Sequence, residues 1–156
     1  MLEIEIPGYG CLILRHLVMD YNGTLALDGG LVPGVGKRLI QLSQSLTLHV
    51  VTADTHGGAQ QNLKGLPCGL QILPTEHQAE AKKAYVQKLG ARETAAIGNG
   101  RNDRLMLREA VLGVGVVLNE GAFSATLADA DLVCTSIADA LDLLRFPLRL
   151  VAGLRT

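Results

Sequence analysis

The stretch Leu17-Val18-Met19-Asp20-Tyr21-Asn22-Gly23-Thr24-Leu25 decides how the rest of the chain is read. Three apolar residues end at a carboxylate, and a Gly-Thr pair follows almost at once. Apolar residues without period-two alternation mark a strand buried on both faces, as in a parallel sheet. An aspartate at the end of such a strand lies where open α/β sheets bind ligands, outside the carboxyl ends of the strands. There it can act as a nucleophile, with the backbone N–H groups of the following turn available to hold an anion.

Working outward, further apolar runs occur at 46–51, 94–97, 111–117 and 132–134, and stretches with helical spacing at 34–45, 78–89, 103–110, 123–128 and 136–144. Strands alternating with helices predict a three-layer α/β/α sandwich around a parallel sheet of about five strands. Residues 1–15 differ: 2–6 alternate by two, Pro7-Gly8-Tyr9-Gly10 is a turn, and an extended run resumes at Cys11. They predict an N-terminal β-hairpin before a core over 16–144. The basic, apolar segment 145–156 is expected either to pack along the domain edge or to form a contact between copies of the chain in a homo-oligomer. No repeat or linker divides the chain, so residues 1–156 are expected to form a single domain.

Three more strand ends and helix faces carry polar groups that can serve Asp20. Thr52, in Val50-Val51-Thr52-Ala53-Asp54, offers a hydroxyl to a phosphate oxygen. Lys82, on the helix predicted over 78–89, is a cation able to pair with Asp20 and a phosphoryl group, with Lys83 as the competing candidate. The run Gly98-Asn99-Gly100-Arg101-Asn102-Asp103 is a second strand-to-turn junction, and its terminal carboxylate can serve the site, cap the next helix, or both.

The motifs DxxGTL at 20–25 and GNGRND at 98–103, with Thr52 and Lys82 between them in that order, resemble the haloacid dehalogenase (HAD) superfamily of aspartyl-phosphate phosphotransferases. The TAD at 52–54 and the spacing after Lys82 are similar to the phosphorylation domain of P-type ATPases, and so to the small soluble branch with that core. The connections from Asp20 to Thr52 and from Thr52 to Lys82 are both short, which leaves no room for a cap domain. The resemblance implies an HAD-like, Rossmannoid sheet and a magnesium-dependent phosphohydrolase or phosphotransferase. Asp20 would be nucleophile and metal ligand, the carbonyl of Asn22 a second ligand, Thr52 the phosphoryl binder and Lys82 the charge partner. Asn99 takes the place of the family's acidic metal ligand, and Asp103 would support the metal through its shell. The turn residues Tyr21, Gly23, Thr24, Ala53, Asp54, Gly98 and Asn102 would line the phosphate or substrate.

Two positions depart from the hydrolytic pattern. Asn22 stands where an aspartate usually protonates the leaving group, a contribution worth ~10²–10⁴ in rate. Asn99 replaces an anionic metal ligand with a neutral amide, which weakens cation binding. Together they imply a slow phosphatase, the alternative being a phosphate-binding regulatory module without turnover.

Composition limits the remaining classes. With 14 Lys+Arg against 15 Asp+Glu the net charge is −1, and 3% aromatic content leaves few stacking platforms, so no nucleic-acid partner is expected. No apolar run approaches the roughly 18 residues of a membrane span, and the first ten residues lack the basic stretch of an export signal. A cytoplasmic protein acting on a phosphorylated small molecule or macromolecule is expected. Cys11, Cys68 and Cys134 lack metal or disulfide spacing and are read as buried thiols, and no histidine pair has zinc spacing, although His56 follows Asp54 closely enough to line the site entrance. Arg101, Arg104 and Arg108 share one helix face, either solvated or orienting a substrate. Gly30 to Lys37 is not a nucleotide P-loop, because five residues separate its outer glycines and Arg38 replaces the required Ser or Thr.

Overall fold

In the computed structural model, which describes residues 1–54 and 57–156, six parallel strands form the central sheet. They are β3 (His16–Asp20), β6 (Thr47–Thr52), β7 (Gly69–Ile72), β8 (Thr94–Gly98), β9 (Leu112–Val116) and β10 (Leu132–Cys134), in the spatial order β10-β9-β8-β3-β6-β7. The chain runs outward from β3 through β6 to β7, then crosses back to β8 on the other side of β3. The strand order therefore reverses at β3, and the crevice at such a switch point is where doubly wound sheets bind ligands.

The pleat sorts the core. Leu17 and Met19 of β3 join Val50 of β6 on one face, under α1 (Val35–Leu42), α6 (Ile137–Arg145) and α7 (Pro147–Leu154). Val18 and Val51 point to the other face, against Val86 of α3 (Gln78–Leu89) and Met106 of α4 (Arg104–Glu109). Burial of both faces explains why β3, β6, β8 and β9 read as continuous apolar runs. Shorter helices α2 (Ala59–Asn62) and α5 (Ser124–Ala128) complete the connections.

The N-terminal hairpin of β1 (Leu2–Ile6) and β2 (Gly10–Leu14) is antiparallel with Leu2 opposite Leu14, and Ile4, Ile6, Leu12 and Leu14 seal it onto the α1 and α6 face. Outward positions of the same alternation leave Cys11 exposed, which corrects its reading as a buried thiol; Cys68 and Cys134 are half-buried, and all three are free. Segment 147–154 is a helix whose Leu150 is buried against the core, so this part of the tail packs on its own domain. The expected five strands become six because β7 is a four-residue edge strand, largely exposed and without an apolar run. A second small hairpin, β4 (Ala26–Leu27) with β5 (Gly30–Leu31), forms a flap directly after the Asp20 turn.

Among the described residues no further domain is inserted between β3 and β6 or between β6 and α3. None of their helices is long and apolar enough to cross a membrane.

Candidate active site

Three neighbouring strands end side by side at the switch point. β3 delivers Asp20, which pairs in register with Val51 just before Thr52, while Met19 pairs with Ile97 just before Gly98 and Asn99. Helix α3 adds Lys82 from the layer above. Gln78, Lys82 and Val86 recur every four residues, so one stripe of α3 runs from the pocket mouth into the core. This phase separates the two lysines: Lys82 is buried, whereas Lys83 is half-buried and faces Glu109 at 3.6 Å.

The Lys82 Nζ donates to Asp20 Oδ1 and to Asp103 Oδ1, each at 2.6 Å. All three side chains are less than 10% exposed. One cation faces two carboxylates, so one negative charge remains uncompensated. Burial first, and then repulsion from Asp103, push Asp20 up to about 7, although Lys82 pulls the other way. Burial alone would lower the Lys82 pKa, but the two carboxylates outweigh it and raise it.

Asp103 is committed to structure. Its Oδ1 takes the Lys82 ammonium, and its Oδ2 accepts the backbone N–H of Asn99 at 3.0 Å and of Gly100 at 2.9 Å. With both oxygens engaged, it orients Lys82 and the 99–100 turn. Gly98 makes this possible, since a Cβ there would stand 2.6 Å from the Asp103 carboxyl carbon. Gly98 thus acts by close approach, with no place in the pocket lining.

On the other side of Asp20, the Thr24 hydroxyl lies 3.3 Å from both Asp20 Oδ2 and Asn99 Oδ1 and is shared between them. The Asn99 amide is oriented by its other end, because Nδ2 donates to the Gly121 carbonyl at 3.0 Å. Asn99 Oδ1 and Asp20 Oδ2 therefore converge, forming an all-oxygen pair suited to a hard divalent cation. Thr52 accepts the Asp54 N–H at 3.0 Å, and among the described residues its own hydroxyl proton has no acceptor, so it is available to the pocket.

Of these residues Asp20, Thr52 and Asn99 line a cavity of about 330 Å³, together with Asn22, Ala53, Gly100 and Asn102. Asn102 is held by Gln78, its Nδ2 donating to Gln78 Oε1 at 2.7 Å. A larger cavity of about 690 Å³ lies between the flap and the start of α6, but its lining, from Leu27 and Val32 to Ile137, holds no titratable side chain. The chemistry therefore belongs to the smaller one.

Two expected site residues serve the scaffold. Tyr21 is buried; its hydroxyl donates to the Gly29 carbonyl at 3.1 Å and accepts from Asn62 at 2.9 Å, holding the flap. Asp54 accepts the Ala59 N–H at 3.1 Å and tethers α2. His56 lies outside the described residues. Arg104 pairs with Asp129 at 2.5 Å, while Arg101 lies over the Phe123 ring and borders a shallow groove with Gln78 and Asn102. His16, His49 and Tyr85 form a hydrogen-bonded row, which is not a metal cluster.

Gln78 and Glu120 are pocket residues that motif reading missed. Gln78 had a signal, its four-residue spacing from Lys82. Glu120 follows the fourth apolar run, a strand end that offers no recognisable motif.

Comparison with known proteins fits this geometry. No family model matches the chain. An uncharacterised protein of Methanocaldococcus jannaschii is 52% identical over 60 residues, 38% of this chain and 64% of that relative, so this chain spans less than two thirds of it. Among solved structures, the 3-deoxy-D-manno-octulosonate 8-phosphate phosphatase of Moraxella catarrhalis, crystallised with magnesium, phosphate and KDO, superposes with a TM-score of 0.70 at 19% identity, over 89% of this chain and 92% of its own. A protein of Streptomyces avermitilis assigned to the HAD hydrolases gives 0.67 at 17%, over 84% and 82%. The chain has the HAD fold. The catalytic domain of the CPx-ATPase CopB-B superposes with a TM-score of 0.61 at 20% identity, over 74% of this chain and 46% of that one.

Proposed function

We propose that this chain is a magnesium-dependent phosphatase or phosphotransferase that forms an aspartyl phosphate on Asp20, in the manner of a capless, P-type ATPase-like HAD domain. The observation that carries the reading is the buried Asp20–Lys82–Asp103 triad opening into a small polar cavity beside Thr52. Keeping three charges out of water costs several kcal/mol per ion unless they are mutually satisfied, so their place at a pocket floor favours function over stability.

In the proposed reaction an oxygen of Asp20 attacks the phosphorus of a phosphate monoester, and the bond from phosphorus to the leaving oxygen breaks. Lys82 and the Thr52 hydroxyl hold the phosphoryl oxygens. The departing oxygen takes its proton from water, because the Asn22 amide has none to give. Water then attacks the phosphorus on Asp20, releasing orthophosphate and restoring the carboxylate. The donor set of Asp20, Asn99 and the Asn22 carbonyl suits magnesium, which would supply positive charge against the transferring phosphoryl group. A phosphorylated small molecule is the substrate class that the Moraxella phosphatase favours.

The test is p-nitrophenyl phosphate turnover with and without Mg²⁺, with acid quench and intact mass to detect the phosphorylated chain. Turnover and adduct that require both Mg²⁺ and Asp20 are expected. Turnover unchanged in Asp20→Asn would sink the reading. The Asn22 and Asn99 amides favour a second reading, a phosphate-binding module; saturable phosphate binding with no adduct would support it.

A further inference from the structure

The metal side of the proposed site is short of charge. Asp20 and Asp103 against Lys82 leave a net of −1, and the amide of Asn99 adds nothing. The loop after β9 brings another carboxylate to that side. Glu120 Oε2 lies 2.9 Å from where a Cβ on Gly23 would stand, and Asn99 Nδ2 lies 2.6 Å from the same point. Glu120 thus reaches the pocket beside the Asn99 amide, over the one residue of the turn whose missing side chain and φ of +75° leave the space.

The loop is fastened to residue 99. Asn99 Nδ2 donates to the Gly121 carbonyl at 3.0 Å, and the Phe123 N–H donates to the Asn99 carbonyl at 2.9 Å. The first of these needs an N–H on the side chain, which an aspartate lacks. The residue that gives up the charge is therefore the one that anchors the loop carrying a charge back. Among the described residues Glu120 is otherwise weakly engaged: its Oε1 accepts the Asp28 N–H of the flap, at 3.4 Å, and no other, and the side chain is exposed. With Glu120 counted, the site carries −2, the charge a divalent cation neutralises.

We infer that Glu120 supplies the anionic oxygen of the divalent-cation site that Asn99 does not. This rests on the cation-dependent reading above, and the experiment separates the two. Mn²⁺ is titrated into the protein while the signal of the free ion is followed by electron paramagnetic resonance, for the wild type, Glu120→Gln, Asp20→Asn and Glu120→Gln/Asn99→Asp. Glu120→Gln changes one exposed side chain and should lose about 10-fold in Mn²⁺ affinity, the scale on which supporting carboxylates act. Adding Asn99→Asp should restore the affinity, because the charge returns from the other residue.

Equal affinity in wild type and Glu120→Gln, with binding lost in Asp20→Asn, would overturn the role of Glu120 and leave the cation site intact. Binding unaffected by Asp20→Asn, or absent from the wild type, would overturn the cation site itself and the inference with it. A loss in Glu120→Gln that Asn99→Asp fails to recover would assign the effect to the loop and not to the charge, and would also overturn it.

Discussion

Replacing Lys82 with methionine keeps most of the aliphatic volume and removes only the ammonium that separates two buried carboxylates. In the native protein the ammonium donates at 2.6 Å to each, and it is 1% exposed. Asp103 would retain the two N–H donors on its Oδ2, so the stranded charge falls mainly on Asp20. Breaking a buried pair by deleting one partner costs about 3–5 kcal/mol. At roughly 2–4 °C per kcal/mol for a chain of this size, the melting temperature should fall by about 6–20 °C at pH 8. The pH dependence provides the sharper check. Asp20 is already raised to about 7 by burial and by Asp103, and losing Lys82 raises it further. A carboxyl whose folded pKa exceeds its unfolded value of ~3.9 disfavours folding progressively as pH rises from that value to the folded pKa. The variant's deficit should therefore be small near pH 5 and grow toward pH 8, as read by urea denaturation at both. Adding Asp103→Asn should recover part of it by removing the neighbouring charge. A loss below ~1 kcal/mol at pH 8, or one equal at both pH values, would refute the view that Lys82 compensates two ionised, desolvated carboxylates.

Asn22→Asp should raise turnover on alkyl phosphates by ~10²-fold or more and change p-nitrophenyl phosphate turnover far less, because only the poor leaving group needs a proton; kcat across a series of leaving groups measures this. Since Asp20 must be ionised to attack and is pushed up to about 7, the rate at limiting Mg²⁺ should fall as pH drops through 7, and saturating Mg²⁺ should move that limb to lower pH. Away from the site, Asp142 accepts from Arg38 at 2.9 and 3.1 Å and from Arg145; burial would raise its pKa, but these partners outweigh that and lower it. Its contribution is present above the unfolded carboxyl value and lost as pH falls through the lowered one, so Asp142→Asn should cost about 2 kcal/mol at pH 7 and progressively less as pH falls below the unfolded carboxyl value, by denaturation across that range.

The central strands and the order of Asp20, Thr52, Lys82 and the 98–103 turn were legible because strands buried on both faces write themselves as apolar runs ending in polar punctuation. Helix α3 was legible over its whole length, Gln78–Leu89. Strand β7 was not, because an edge strand needs burial on few of its residues and Gly69–Ile72 supplies little. The tail helix was hidden for a different reason: Pro147 suits the first turn of a helix, but the apolar spacing behind it is equally that of an irregular edge segment. Within the site, motif reading assigned residue types to roles but not side chains to directions. Tyr21 and Asp54 sit inside the motifs yet turn toward the flap and α2, while Gln78 and Glu120 sit outside them and face the cavity.

The two amide substitutions have different consequences, and the geometry separates them. Asn99 lies on the side of the proposed cation, where a carboxylate stands nearby that could supply the missing charge and where the amide N–H does something an aspartate cannot, holding Gly121. Asn22 has no such substitute among the described residues lining the cavity: Thr52, Gln78 and Asn102 are not acids, Glu120 is the carboxylate inferred above to serve the cation, and Asp103 lies below the floor with both oxygens engaged. In the proposed reaction, proton donation to the leaving group is thus the step left unsupported, while formation of the phosphoryl–aspartate bond would keep its nucleophile, its lysine and its hydroxyl. On the proposed reaction such a site should discriminate by leaving-group basicity, with acyl phosphates, phosphoanhydrides and aryl phosphates, whose leaving oxygens depart without a proton, turned over faster than simple sugar or alkyl phosphates.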